Sequence, residues 1–169
     1  MNAKHVEVLI QQLGVLVVDD NLFMRKVVRN LLNNIGVKKT FEAGDGIAAL
    51  EMIRTVNPDV VILDWEMPLL NGPELVRIVR SPGAFPVPDV PIIMLTAHGE
   101  RWRVVEAAKL GVNEFLCKPI SAKSLLDRLI SILLNPRESV RVGEYYGPMP
   151  RNPMLNTKTD TPDFSPATD

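Results

Sequence analysis

Reactive side chains recur in this chain at places where an apolar run ends. Asp19 and Asp20 follow the run 15–18, Asp64 follows 60–63, Thr96 follows 92–95, and Lys118 follows 114–117. An aspartate after a strand is ordinarily a turn residue or a helix cap, and a threonine or a lysine alone says less. Their joint placement says more, because strand ends laid side by side would gather all five at one edge. Three carboxylates that close repel one another, so a bound cation or the lysine ammonium must offset them. Asp20 and Asp64, with a backbone carbonyl and water, suit Mg²⁺, which takes oxygen ligands and keeps part of its hydration shell.

That gathering requires the runs to be neighbouring parallel strands, and the intervening sequence supplies the crossovers. Met24, Val27, Val28, Leu31, Leu32 and Ile35 recur at helical spacing until Gly36 stops them. A weak strand over 40–43 precedes a helix around 47–54. Pro73 suits the first turn of a helix running to about Arg80, and a further helix covers about 100–110. Ser121 is placed to cap a last helix, with Leu125, Leu126, Leu129, Ile130 and Leu133 on its apolar face. Five strands alternating with five helices predict an α/β fold, a doubly wound five-stranded parallel sheet covered on both faces. The runs 60–63 and 92–95 are apolar throughout, as strands buried on both sides should be.

The chain of 169 residues is the length of one domain with extensions. Its organisation is read as an N-terminal extension over 1–12, a domain over 13–135 and a proline-rich tail over 136–169. The tail is expected to be extended or disordered, apart from a more apolar patch at Tyr145-Tyr146, and is a candidate interaction arm. Pro82, Pro86, Pro88 and Pro91 predict an extended loop over 81–91. A formal net charge of −1 gives no bulk attraction to nucleic acid or to a membrane surface, and neither is expected as a partner. The single cysteine, Cys117, excludes an internal disulfide and fits a reducing compartment. No run reaches the roughly 18 apolar residues of a membrane helix, and 6–10 carries Glu7 without the features of a signal peptide. The expected location is the cytoplasm.

The stretches Val17-Val18-Asp19-Asp20-Asn21, Ile62-Leu63-Asp64-Trp65-Glu66-Met67-Pro68, Leu95-Thr96-Ala97 and Phe115-Leu116-Cys117-Lys118-Pro119 resemble the signature of bacterial response-regulator receiver domains, over about 14–135. The resemblance implies a flavodoxin-like domain with strand order 2-1-3-4-5, stand-alone and similar to the chemotaxis receivers. Such a domain accepts a phosphoryl group from a sensor histidine kinase or a phosphotransfer protein in a two-component phosphorelay. It is a switch rather than an enzyme, carrying out only its own Mg²⁺-dependent phosphorylation and dephosphorylation.

Carried over residue by residue, the resemblance makes Asp64 the phosphoacceptor. Asp20 would bind Mg²⁺ (or Mn²⁺) directly, Asp19 mainly through water, and the backbone carbonyl of Glu66 would be a further ligand. Lys118 would pair with Asp64 and then with a phosphoryl oxygen, Thr96 would donate its hydroxyl to another, and the small Ala97 would leave room. Phosphoryl transfer needs this positioning and charge neutralisation, and an aspartyl phosphate is a mixed anhydride, reactive enough to be transient. Thr96 and Phe115 occupy the switch positions, and Glu66 and His98 the positions that would tune the phosphate lifetime. Lys118-Pro119 would be a cis peptide.

With no second domain legible in the sequence, output is expected through contacts with an unknown downstream protein. Arg101, Trp102 and Arg103 open a helix near the face receivers commonly use for partners, and a homodimer through the last helices with the tail is expected. An aspartate-nucleophile phosphatase on a similar sheet is the rival reading, with Glu66 where such enzymes have an aspartate and no role for the Asp19-Asp20 pair. A plain nucleotide or flavin binder would need a glycine-rich loop after the first strand, which this sequence lacks.

Overall fold

Alternation along each strand builds two cores from one sheet. In a computed structural model describing residues 2–151, the apolar runs form β1 (Gly14–Val18), β2 (Lys39–Ala43), β3 (Val60–Asp64), β4 (Ile92–Thr96) and β5 (Glu114–Cys117). All pair in parallel, in the order β2-β1-β3-β4-β5. Every residue of β1, β3 and β4 is buried, as three central strands covered on both faces must be. Successive side chains point to opposite faces. Leu16, Val18, Val61, Leu63, Ile92 and Met94 therefore join one core, and Val15, Val17, Val60, Ile62, Ile93 and Leu95 the other.

The helices divide in the same way. Helices α3 (Gly46–Val56), α4 (Gly72–Val79) and α5 (Arg101–Leu110) send Ile53, Leu75, Val79 and Ala107 into the first core. Helices α2 (Leu22–Ile35) and α6 (Ala122–Leu134) send Val28, Leu32, Leu125 and Leu129 into the second. Gly36 ends α2 in the left-handed region, φ 114°, where a side chain is strained. Sequence patterning predicts these five helices, and among the described residues the structure corrects the number to six. The stretch 1–12 holds α1 (Ala3–Gln12), capped by Asn2, whose side chain accepts the His5 N–H at 2.9 Å. Val6, Ile10 and Leu13 stand at helical spacing and pack on the second core, a pattern too short to be conspicuous against its polar flanks.

The sequence beyond 135 also acquires structure. Antiparallel β6 (Ser139–Val142) and β7 (Tyr145–Pro148) turn through Gly143 at φ 60°. This hairpin packs on its own domain: a Cβ on Gly147 would stand 2.7 Å from the Gly111 Cα, so the two backbones touch. Arg137 donates to the Asn113 carbonyl at 2.7 Å, and the Tyr146 hydroxyl donates to Asp89. The loop over 81–91, expected to be extended, instead folds into turns, the Phe85 N–H donating to the Ser81 carbonyl at 2.9 Å, with Phe85 and Val90 in the core. Buried Arg80 ties it down, donating to the carbonyls of Pro88 at 2.6 Å and Gly111 at 2.9 Å and to Asn113 Oδ1 at 2.9 Å. Among the described residues no helix is long and apolar enough to cross a membrane.

One close approach fixes the chain just after Asp64. The Gly72 N–H donates to the Trp65 carbonyl at 2.9 Å, closing the loop between β3 and α4. A Cβ on Gly72 would lie 2.7 Å from the Asp64 carbonyl oxygen and 3.0 Å from the Trp65 Cα. Since these are backbone atoms, Gly72→Ala must displace the loop, at a cost of about 1–3 kcal/mol. Urea unfolding is expected to show a lower midpoint with an unchanged slope; a midpoint equal to wild type would contradict this account.

Candidate functional site

Backbone hydrogen bonds to neighbouring strands hold the chain at Asp19, just after Asp64 and at Lys118 along the same edge of the sheet. The Asp19 N–H donates to the carbonyl of Ala43, the last residue of β2 (3.2 Å), the Trp65 N–H to Leu95 (2.8 Å) and the Lys118 N–H to Thr96 (2.8 Å). The sheet ladder is thereby prolonged by one residue past each strand, which aims the side chains of Asp19, Asp64 and Lys118 into one cavity. This cavity, about 200 Å³, is lined by Asp19, Asp20, Asp64, Thr96, Ala97 and Lys118 together with Asn21, Met24, Trp65 and Glu66. Asn21 caps α2, accepting the Met24 N–H at 3.1 Å, and donates its own N–H to Asp19 at 2.9 Å. The cap of the helix and the orientation of the carboxylate are thus one arrangement. Lys118–Pro119 is cis.

Charge is concentrated and only partly offset. Asp19, Asp20 and Asp64 each bring a carboxylate oxygen within 4.8 Å of the others. The Lys118 ammonium donates to Asp64 Oδ1 at 3.0 Å and stands 3.6 Å from Asp19 Oδ2. Burial pushes the Asp64 carboxyl up to about 6, against the hydrogen bond from Lys118, while the charges of Asp19 and Asp20 push the same way as burial. Burial raises Asp19 as well, opposed by the Asn21 N–H and by Lys118. One ammonium does not satisfy this cluster: Asp19 Oδ2 is buried with no hydrogen-bond partner. An orphaned carboxylate oxygen beside two further carboxylates fits a hard, oxygen-seeking divalent cation such as Mg²⁺.

The remaining candidates fall into two settings. Phe115 is fully buried in the first core and pairs across the sheet with Met94, two residues before Thr96. By the strand alternation its ring lies on the same face of the sheet as the Thr96 side chain. Glu66 and His98 lie at the exposed rim, with His98 Nε2 3.8 Å from Glu66 Oε1. The His98 backbone N–H donates to Thr96 Oγ at 3.1 Å.

Sequence reasoning missed Arg103 as a site residue, assigning it to an outer face. Its Nη2 donates to Glu66 at 3.1 Å and its Nη1 to Thr96 Oγ at 3.4 Å. The guanidinium stacks 4.9 Å from the Trp65 ring and 5.1 Å from that of Trp102. Trp102 meets Trp65 edge-on and is itself 57% exposed. The available signal was spacing: Arg103 opens the helix that follows Thr96, close enough for a long side chain to reach back.

Known proteins share the sequence pattern and the fold of this chain. A family model described as the response regulator receiver domain matches residues 15–130. The chain is 37% identical over 125 residues to chemotaxis protein CheY-3 of Vibrio cholerae, covering 74% of this chain and 95% of that one. It is 38% identical over 118 residues to chemotaxis protein CheY of Pseudomonas aeruginosa, covering 70% and 94%. Among solved structures, the receiver domain of a Francisella response regulator superposes with a TM-score of 0.66 at 31% identity, over 73% of this chain and 98% of that one. Chemotaxis protein CheY4 of Vibrio cholerae gives 0.61 at 32%, over 69% and 95%. The hairpin lies beyond the residues matched by the family model.

The raised Asp64 carboxyl has a sign that can be measured. Its folded value of about 6 lies above the ordinary 3.8, so the ionised group destabilises the fold. Its contribution is fully favourable below about pH 4 and is lost as pH rises through about 6. In buffer with a metal chelator, Asp64→Asn is expected to be more stable than wild type at pH 8 by about 1–3 kcal/mol, and to show no advantage near pH 4. Denaturant unfolding at the two pH values checks this; a gain independent of pH would contradict it.

Proposed function

This chain belongs to the family of response regulator receiver domains, and from that premise we propose that Asp64 accepts a phosphoryl group from a sensor histidine kinase or phosphotransfer protein. The observation that carries the reading is the pairing of Asp64 with Lys118 inside a cavity also lined by Asp19, Asp20 and Thr96. Asp64 ionises at about 6, so near neutral pH it is chiefly the nucleophilic carboxylate. One carboxylate oxygen bonds to phosphorus as the bond from phosphorus to the donor's imidazole nitrogen breaks. Lys118 then exchanges the carboxylate for a phosphoryl oxygen, and Thr96 donates its hydroxyl to another. Ala97 keeps the approach open. Asp19, Asp20 and Asp64, with the backbone carbonyl of Glu66, would hold Mg²⁺ or Mn²⁺, which supplies neutralising charge to the phosphoryl oxygens.

Signalling follows from the placement of Thr96 and Phe115 on one face of the sheet. Movement of Thr96 toward the phosphoryl group frees volume above the Phe115 ring, and the change reaches the surface as altered protein contacts. Glu66 and His98, at the rim, set the access of water and so the lifetime of the phosphate. The protein is a phosphorylated switch acting in the cytoplasm, with no turnover of a separate substrate. A second copy of the chain, bound through the last helices with the tail, completes the proposal. The hairpin already packs on its own domain, so a tail arm reaching that copy falls to residues 152–169, outside the described residues.

Incubation with acetyl phosphate and Mg²⁺ is expected to add one phosphoryl group to wild type by intact mass and none to Asp64→Asn. Labelling of the mutant, or none of wild type, would remove the reading; sustained release of phosphate from monoesters would favour a phosphatase instead. Light scattering at the monomer mass both with and without the phosphodonor would remove the dimer.

A further inference from the structure

Thr96 Oγ already accepts two hydrogen bonds, from the His98 N–H and from Arg103 Nη1. A hydroxyl has two acceptor lone pairs and one hydrogen. With both acceptor positions taken, the hydroxyl hydrogen is left to be donated elsewhere, and Thr96 lines the cavity that holds Asp64. Arg103 therefore prepares Thr96 as a donor. It also brings a second cation to a site whose ammonium is already shared between Asp64 and Asp19.

The aromatic contacts of Arg103 account for its stem and its charge, but its ion pair accounts for little. Its ion pair is with Glu66, whose side chain is 60% exposed, and such pairs contribute little. Arg103 itself is only 14% exposed, and its Nε is buried without a partner. The guanidinium carbon lies over both the Trp65 and the Trp102 ring, which leaves less freedom to be lost when it engages an anion. A planar fork matches the oxygens of a phosphoryl group better than it matches a single exposed carboxylate oxygen.

We propose that Arg103 is a second phosphoryl-binding cation of this site: on phosphorylation of Asp64 it leaves Glu66 and donates to a phosphoryl oxygen. The proposal rests on the reading of Asp64 as the phosphoacceptor. It assigns Glu66 a further part, that of holding the guanidinium in the unphosphorylated protein. Lys118 then approaches the phosphoryl group from the end of β5 and Arg103 from the first turn of α5.

The test is calorimetric titration of the full chain with Mg²⁺ alone, and with fluoroberyllate in saturating Mg²⁺ as the phosphoryl mimic. Arg103→Gln is expected to bind fluoroberyllate about tenfold more weakly than wild type, with Mg²⁺ affinity nearly unchanged. Arg103→Lys keeps the charge without the fork or the stacking and is expected to recover part of the loss. Wild-type affinity for fluoroberyllate in Arg103→Gln overturns the proposal. So does an equal loss of Mg²⁺ and fluoroberyllate in both variants, which would mark Arg103 as structural only. Wild type that binds Mg²⁺ but neither fluoroberyllate nor a phosphoryl group overturns the functional reading itself, and this inference with it.

Discussion

Three carboxylates held together at the edge of a buried sheet repel one another, and the fold keeps them there against that repulsion. The only ammonium in contact with them, among the described residues, is that of Lys118, 3.0 Å from Asp64 and 3.6 Å from Asp19. Burial raises both carboxyls, Asp64 to about 6, and leaves Asp19 Oδ2 without a hydrogen bond. Groups left in this condition are a cost that packing elsewhere must offset. Here the offset comes from three strands buried at every position and two continuous cores. A rigid sheet is needed because the chemistry depends on where the strands end. Backbone bonds from Asp19, Trp65 and Lys118 to neighbouring strands fix those ends to hydrogen-bond precision.

What the sequence made legible follows the same division. Apolar runs that end in a carboxylate, a hydroxyl or a lysine are local signals, and the parallel sheet brings them together without any further information. Asp19, Asp20, Asp64, Thr96 and Lys118 could therefore be read as a group. Features that depend on tertiary partners were not legible. Helix α1 shows only Val6, Ile10 and Leu13 as an apolar stripe, and its stability comes from packing on the second core. The hairpin at 139–148 is short and proline-ended, and it is held by contacts with Asn113, Asp89 and Gly111, all distant in sequence. Arg103 was misplaced because a helix-opening arginine beside a tryptophan reads equally well as an outer surface; only the structure shows the Trp65 ring beneath it.

Helix α5 joins the two ends of the domain. At its first turn Arg103 reaches Thr96 and Glu66, at the carboxyl edge of the sheet. At its last, Gly111 ends the helix in the left-handed region, φ 99°, and packs backbone to backbone against Gly147 of the hairpin. Arg80 fixes the same corner from below through the Gly111 carbonyl. A helix of ten residues is about 15 Å long. The Gly111–Gly147 contact has no side chain to absorb a shift, since a Cβ on either glycine would stand 2.7 Å from the other strand or turn. The hairpin thus meets α5 through a backbone contact, and α5 in turn carries Arg103, which donates to the Thr96 hydroxyl. Helix α5 is thus braced at both ends, by Arg103 against Thr96 at the site and by Gly111 against Gly147 at the hairpin.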